Sequence, residues 1–381
     1  ELPYGWTATD DPSHSVDTRM ADANQDGVID KKDIDKVQSM IDATASSPKQ
    51  VIYYVDVDGG MSSMHFPAKS IISTYEQISK QLQTLHAMDQ VIACDNGSAG
   101  HIYAQKWLTP DKVIFNTFNE RADPSAELVQ KYAPDIVVTG SRDTYPTTCE
   151  KVLPANRTNM DIIRISSWED GNTIVGTLTL RFMILKNEEA LAYAEWADKW
   201  MGTISEKTAN LTDKVKVLAP RGEYDGWQNI MNGPRSGKYE TTLLAGADNI
   251  ITRNLTSTST NVTVTPEWVK AQSDCDFIIP IVYGDLDNQE KYGFTNKSFY
   301  DTAVEYWSDM TKAYGTQVHV VDNLVSQGTS YVIGAVYMAK WFYPELFADM
   351  NPDAIFQEFM DQFLQYDFDV AAYQANGGIA I

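Results

Sequence analysis

The sequence predicts an α/β protein of two α/β sandwich lobes joined by a long backbone helix, with a small N-terminal helical calcium-loop module ahead of them. Three observations carry this prediction. Near the middle of the 381 residues, Ile174, Leu178, Phe182 and Leu185 recur at helical intervals, and after Asn187 a second series follows with Leu191, Ala194, Ala197, Met201 and Ile204. On both sides of this stretch, short β-rich runs alternate with helical patterns, as layered α/β lobes require. Near the amino end, acidic and amide side chains fall at the spacing of a loop that wraps one hard cation. An ordinary crossover helix inside one large α/β domain is the competing reading of the central periodicity.

Taken in order, the chain divides into a calcium-loop segment (1–45), an amino-terminal lobe (51–166), a helical spine (167–213) and a carboxyl-terminal lobe with terminal helices (214–381). Val51–Val55 is a strand by its β-branched and aromatic content. Ile71 and Ile72 read as strand, and Ile78, Leu82 and Leu85 as the helix that follows. Val91–Ala93, Ile136–Val138 and Ile162–Ile165 complete the first lobe, with a helix at Ser125–Tyr132. Within the spine, Asn187 followed by Glu188 and Glu189 has the look of an N-cap with acids in the first turn, so a fresh helix start is expected there. The second lobe repeats the alternation: strand at Val215–Leu218, helix at Tyr239–Ala245, short helix at Pro266–Ala271, strand at Phe277–Val282, helix at Thr302–Lys312 and strand at Val318–Val321. Helices at Gly334–Phe342 and Asp353–Gln362 end the chain.

The sharpest short motif is Asp22-Ala-Asn24-Gln-Asp26-Gly27-Val28-Ile29-Asp30-Lys-Lys-Asp33. Asp22, Asn24, Asp26, the Val28 carbonyl, Asp30 and Asp33 fall where a calcium loop places its oxygens, and Gly27 sits at the sharp turn. Ca2+ is the expected cofactor, and Ile34, Val37 and Ile41 form one apolar face of the helix behind it. Aspartate at the last loop position resembles the calcium loops of dockerin modules. One intact loop rather than two points to a calcium-stapled structural module, with a cohesin-like partner as a further reading.

Composition narrows the function classes. Hydrophobic residues at 43% and aromatics at 11% describe a globular chain. A net charge of −22 supplies no basic field for nucleic acid or anionic lipid. Cys94, Cys149 and Cys275 are widely separated and form no CxxC, which removes zinc-ribbon and thioredoxin chemistry. Six N-x-Ser/Thr sequons, beginning at Asn96, Asn156, Asn210, Asn254, Asn261 and Asn296, lean toward an exported protein. The start on Glu1 suits a processed or truncated chain, so the lack of a targeting sequence is no evidence for the cytoplasm; on the sequons, an extracellular or cell-surface location is expected, with an anchor outside these residues.

Several blocks in order resemble the iron-siderophore and cobalamin class of substrate-binding protein, the class III receptors of ABC importers, in an archaeal-like form. They are Phe66-Pro-Ala-Lys-Ser-Ile-Ile-Ser-Thr with Met88-Asp-Gln-Val-Ile-Ala; Pro124-Ser-Ala-Glu127-Leu-Val-Gln-Lys-Tyr-Ala-Pro134-Asp-Ile-Val-Val; Leu244-Ala-Gly-Ala-Asp-Asn-Ile; Val264-Thr-Pro-Glu267-Trp-Val; and Ala339-Lys-Trp-Phe-Tyr-Pro-Glu-Leu-Phe347. The resemblance runs from about Val51 to the end. It implies two α/β lobes, a connecting helix that limits closure, ligand bound between the lobes, and delivery of a metal chelate to a permease dimer. Iron(III)-siderophore is the first expectation, with cobalamin or haem next, and the receptor is expected to be monomeric. It also implies that Glu127 and Glu267 each meet an arginine pocket on one membrane subunit. Helix N-termini favour acids at such positions without any partner.

Ligand contacts are expected at strand ends. The candidates are Ser62, Arg121, Arg142 and Tyr145 in the first lobe, and Arg221, Tyr224, Trp227 and Arg235 in the second. The stretch from Arg221 to Gly237 combines arginines, aromatics and glycines in one loop, where rings stack on a planar chelate and guanidiniums meet oxygen anions. An enzyme is not expected. There is no Gly-x-Ser-x-Gly, no Gly-x-Gly-x-x-Gly and no P-loop, and none of the five histidines has His-x-x-x-His spacing. Asp56 and Asp58 leave a metal-dependent hydrolase as a lesser alternative. A calcium-stabilised cell-surface attachment or scaffold protein is the other.

Overall fold

The computed structural model describes residues 22–101, 103–146, 148, 150, 160–168, 170–222, 227–252, 259–282, 296–375 and 378. The chain forms two compact units: Glu1–Ser167 with Asn172–Glu195, and Trp168–Gly171 with Trp196–Ile381. The fold is mixed α/β with parallel sheets.

The first unit opens with an antiparallel hairpin of β1 (Gln50–Val55) and β2 (Met61–Phe66), in which Val55 faces Met61. A five-stranded parallel sheet follows, made of β3 (Ile71–Ser73), β4 (Val91–Asp95), β5 (Val113–Phe115), β6 (Ile136–Thr139) and β7 (Asp161–Arg164), in the order β5-β4-β3-β6-β7. The chain starts at the central strand, winds outward to β5, then returns to β6 on the other side. Its direction therefore reverses between β3 and β6, and the carboxyl ends of those two strands bound the crevice where parallel sheets bind ligands. Short apolar strands suit a sheet covered on both faces. Ile72, Ala93, Phe115, Val129 and Val137 form one buried cluster against it.

In the second unit, β8 (Lys216–Leu218), β10 (Asp248–Asn249), β12 (Phe277–Ile278) and β14 (Gln317–Val318) form a parallel sheet in the order β10-β8-β12-β14. An antiparallel pair joins β9 (Ile230–Asn232) to β11 (Asn261–Thr263), and a parallel pair joins β13 (Ile281–Val282) to β15 (Val321–Asp322). The run Phe277–Val282, expected as one strand, is two. Pro280 has no N–H to give the ladder, although its carbonyl still accepts from Val321 N at 3.1 Å. The helix expected at Thr302–Lys312 is likewise divided, into Asn296–Tyr306 and Ser308–Tyr314, at the wholly buried Trp307.

The central helical stretch is Asp170–Ile184 followed by Asn187–Thr208, with Leu185 in the left-handed region at φ 59° between them. The first helix approaches the end of β7 at Gly176, where a Cβ would lie 1.9 Å from the Ser166 carbonyl oxygen. Gln81, on the helix Glu76–Thr84, binds the same junction. Its Nε2 donates to Ser166 O at 3.2 Å, Thr173 O at 3.3 Å and Thr177 Oγ1 at 2.8 Å. Among the described residues no helix is long and apolar enough to cross a membrane.

Ahead of β1 lies the helix Lys31–Ile41, capped reciprocally by Asp30 and Asp33. Gly27 has φ 88°, the left-handed turn that the calcium-loop spacing requires. The loop carboxylates are turned onto backbone N–H groups. Asp22 accepts from Asp26 N at 3.1 Å and Gly27 N at 2.8 Å, and Asp33 accepts from Asn24 N at 3.1 Å and Asp30 N at 2.7 Å. Among the described residues no group of three or more His, Cys, Asp or Glu side chains is gathered closely enough to hold an ion.

Candidate functional site

The carboxyl ends of β3, β4 and β5 carry a compact charged cluster. After β3 come Tyr75 and Glu76, the latter opening the helix Glu76–Thr84. At the end of β4, Asp95 caps the short helix Asn96–Gly100, accepting from the N–H groups of Gly97 at 3.1 Å and Ser98 at 3.2 Å and from the Ser98 hydroxyl. After β5, the helix Phe118–Ala122 presents Arg121, whose Nη1 donates to Asp95 Oδ2 at 2.7 Å. The guanidinium lies 4.4 Å from the Tyr75 ring centre and 5.4 Å from that of Phe118. Tyr145 is buried beside the same rings, at 5.9 Å from Tyr75 and 6.0 Å from Phe118. Glu76 pairs with His101 at 3.3 Å and accepts from Gln77 Nε2 at 2.9 Å. All of this closes on Gly97. A Cβ there would sit 2.9 Å from Asp95 Oδ2, 3.2 Å from Glu76 Oε2 and 3.4 Å from Arg121 Nη1.

The two carboxylates are pushed in opposite directions. Burial drives Asp95 upward against the pull of Arg121. Burial also works upward on Glu76, but His101, Gln77 and Arg121 outweigh it and bring its carboxyl from 4.5 to about 2. Because the folded value is the lower one, the stabilisation is complete above pH 4.5 and is lost as pH falls toward about 2. The expected result for Glu76→Gln is a flatter stability profile across that interval, read from chemical denaturation at successive pH values. An unchanged acid limb would contradict the pairing.

A second network lies at the hairpin and the end of β6. Asp56 is buried. Its Oδ1 accepts from the N–H groups of Asp58 at 3.0 Å and Gly60 at 2.9 Å, and its Oδ2 from Ser62 Oγ and Arg142 Nη1, both at 2.9 Å. Arg142 Nη1 also reaches Asp58 Oδ2 at 2.7 Å. Burial alone would raise the Asp56 carboxyl, yet Arg142, Ser62 and Gly60 hold it below the usual carboxylate range. The 140–150 segment that carries Arg142 and Tyr145 is held from beneath by the buried Arg164. Its Nη1 donates to Gly140 O and Tyr145 O, both at 2.8 Å, while Nε and Nη2 engage Glu150 at 3.1 and 2.9 Å.

The structure thus places Ser62 and Arg142 in one network and Arg121 and Tyr145 in another; Ser62 stands on β2 of the hairpin, and the other three follow strands of the five-stranded sheet. In the second unit, Arg221 follows β8, donates its N–H to Ile230 O at 2.8 Å and turns its guanidinium onto Asn261 Oδ1. Arg235 is exposed within the turn closed by Ser236 N donating to Gly233 O. Tyr224 and the Trp227 side chain lie outside the described residues. Glu127 and Glu267 are both exposed in the first turns of the helices Ala126–Tyr132 and Pro266–Lys270, each capped by a hydroxyl, from Ser125 and Thr265. Sequence reasoning missed Tyr75, Glu76, Asp95 and Phe118. The available signal was position, since each stands at or just beyond a strand's carboxyl end.

Similar architectures exist among solved structures, at low identity. The TroA-like periplasmic binding protein FepB of Veillonella parvula matches with a TM-score of 0.61 at 18% identity, over 83% of this chain and 97% of its own. CeuE of Helicobacter pylori, with Ni(II) bound, matches with 0.61 at 14% identity, over 84% and 98%. The periplasmic binding protein MolA of Haemophilus influenzae, bound to molybdate, matches with 0.62 at 11% identity, over 83% and 99%. The fold is that of the TroA-like periplasmic binding proteins. No family model and no curated protein matches the sequence itself. In the TroA-like fold the cluster around Gly97 and the Asp56–Arg142 network occupy strand ends, the positions from which α/β sheets meet small ligands.

Proposed function

We propose that the protein is an exported substrate-binding receptor that delivers a metal chelate to an ABC importer, with an iron(III)-siderophore first and cobalamin or haem next. It is proposed to act as a binding protein without catalysis. The observation that carries this reading is the strand-end surface of the first unit, where Tyr75 after β3 and Phe118 and Arg121 after β5 come together beside polar groups. The likeness in fold to solute-binding proteins across more than four-fifths of the chain supports it. Purified from its native source, the protein is expected to carry a coloured ligand whose visible band leaves on denaturation. Added ferric chelate should quench tryptophan fluorescence, less so in Trp227→Phe. A colourless preparation that no chelate quenches would overturn the proposal.

The exposed acids Glu127 and Glu267 are proposed as contacts to the two membrane subunits. The double substitution to alanine is expected to leave ligand affinity unchanged and to reduce uptake in reconstituted vesicles by about tenfold, as rim charges steer encounter more than folding. Undiminished uptake removes that role.

The Asp22–Asp33 loop is proposed to take one Ca2+ through Asp22, Asn24, Asp26, the Val28 carbonyl, Asp30 and Asp33, the side chains turning from backbone N–H groups to the ion. The left-handed turn at Gly27 supports this reading. Calorimetry should show uptake at millimolar calcium that Asp26→Ala abolishes, and no heat from the wild-type chain would end the idea.

A further inference from the structure

The sequence nominates Arg121 and Arg142 as anchors for an anionic ligand, but both guanidiniums are already neutralised. Arg121 is held by the buried Asp95 at 2.7 Å, with the Tyr75 and Phe118 rings 4.4 and 5.4 Å away. Arg142 is held by Asp56 at 2.9 Å and Asp58 at 2.7 Å. With Glu76, these strand ends bring four carboxylates against two guanidiniums and the His101 imidazole. With all four carboxylates ionised the balance is negative whichever form His101 takes, in a chain whose net charge is already −22.

What the edge leaves unengaged is one guanidinium N–H, Arg121 Nε, and two uncharged groups. Gln77 and Thr139 flank the reversal between β3 and β6 and are both fully buried. The Gln77 amide is oriented by its donation to Glu76, so its Oε1 is the acceptor left over, and it has no partner. Thr139 Oγ1 has none either. A buried polar atom without a partner costs free energy until a water or a ligand group satisfies it. Phe118 is half exposed, and its ring lies beside Tyr145 and beside Arg121, which lies over Tyr75, two residues before Gln77.

We infer that this edge takes an uncharged, hydrogen-bonding guest and turns away polyanions: among ferric chelates, a neutral trihydroxamate with amide donors rather than a trianionic tricatecholate. The inference rests on the receptor reading above and specifies its ligand class. Gln77 Oε1 accepts from a guest N–H, Thr139 Oγ1 donates to or accepts from the guest, and the Phe118 ring covers its apolar side. Repulsion from the unbalanced carboxylates disfavours negative charge, and this repulsion is screened by salt.

The test titrates the full chain with ferrichrome, a neutral ferric trihydroxamate, and with ferric enterobactin, a trianionic tricatecholate, at low and high salt. Ferrichrome is expected to bind tighter by about tenfold or more at low salt, with the gap narrowing as salt rises. Thr139→Val should weaken ferrichrome, and Asp58→Asn should narrow the preference by releasing Arg142 and removing one negative charge. Equal or tighter binding of ferric enterobactin overturns the inference and leaves the receptor reading standing. Binding of neither ferric chelate also overturns it, and the receptor reading falls with it only if haem and cobalamin fail to bind as well.

Discussion

Gly176→Ala is expected to destabilise the protein by about 3 kcal/mol or more, at the upper end of overpacking penalties. The added Cβ would stand 1.9 Å from the Ser166 carbonyl oxygen, 2.9 Å from its carbon and 3.2 Å from its nitrogen. All three atoms are backbone, fixed by the end of β7, so no side chain can swing away to relieve the contact. Gln81 ties the same junction through three acceptors, which leaves the helix little freedom to retreat. Gly202, in the neighbouring helix Asn187–Thr208, is the control. Nothing lies within 4 Å of a Cβ placed there, so Gly202→Ala should stabilise by about 0.5–1 kcal/mol through helix propensity alone. Denaturant midpoints of the two variants should therefore move in opposite directions. A Gly176→Ala protein as stable as the parent would show that the helix does not approach β7 as closely as described.

Arg164→Leu is the second large effect, expected to cost about 3–5 kcal/mol, the range for breaking one side of a buried ion pair. The substitution removes the two-pronged contact to Glu150 and strips the Gly140 and Tyr145 carbonyls of their donor. Glu150 keeps some access to water, so the loss should fall mostly on the carbonyls and on the packing around them. Because that segment carries Arg142 and Tyr145, chelate affinity should fall together with stability. A variant with reduced stability and full affinity would separate the brace from the site.

The strands and the central helices were legible because their signals are local. β-branched runs mark β1, β3, β6 and β7, and Asn187 with the two glutamates after it marks a helix start, although Asn187 is the first residue of that helix and its Oδ1 accepts no hydrogen bond, so it does not act as the cap expected. Interruptions decided by burial were not legible, such as the helix break at Trp307, where a wholly buried indole overrides a continuous helical pattern. β2 was missed because Met61–Phe66 carries only Met64 and Phe66 into the core, too weak an alternation to read. The site divides the same way. Arg121 and Arg142 could be nominated from residue type and position. Their neutralisation could not, since Asp95 lies 26 residues from Arg121 and Asp56 lies 86 from Arg142. Gly97 and Gly176 matter through what surrounds them in space, which no local pattern reports.

The most direct test of the central claim is calorimetric titration of the purified chain with a ferric hydroxamate, a ferric catecholate, haem and cobalamin in turn. The account predicts saturable binding of at least one, at one ligand per chain, with a Kd well below about 10 μM. Failure of all four to bind below that concentration would contradict the claim that this protein captures metal chelates.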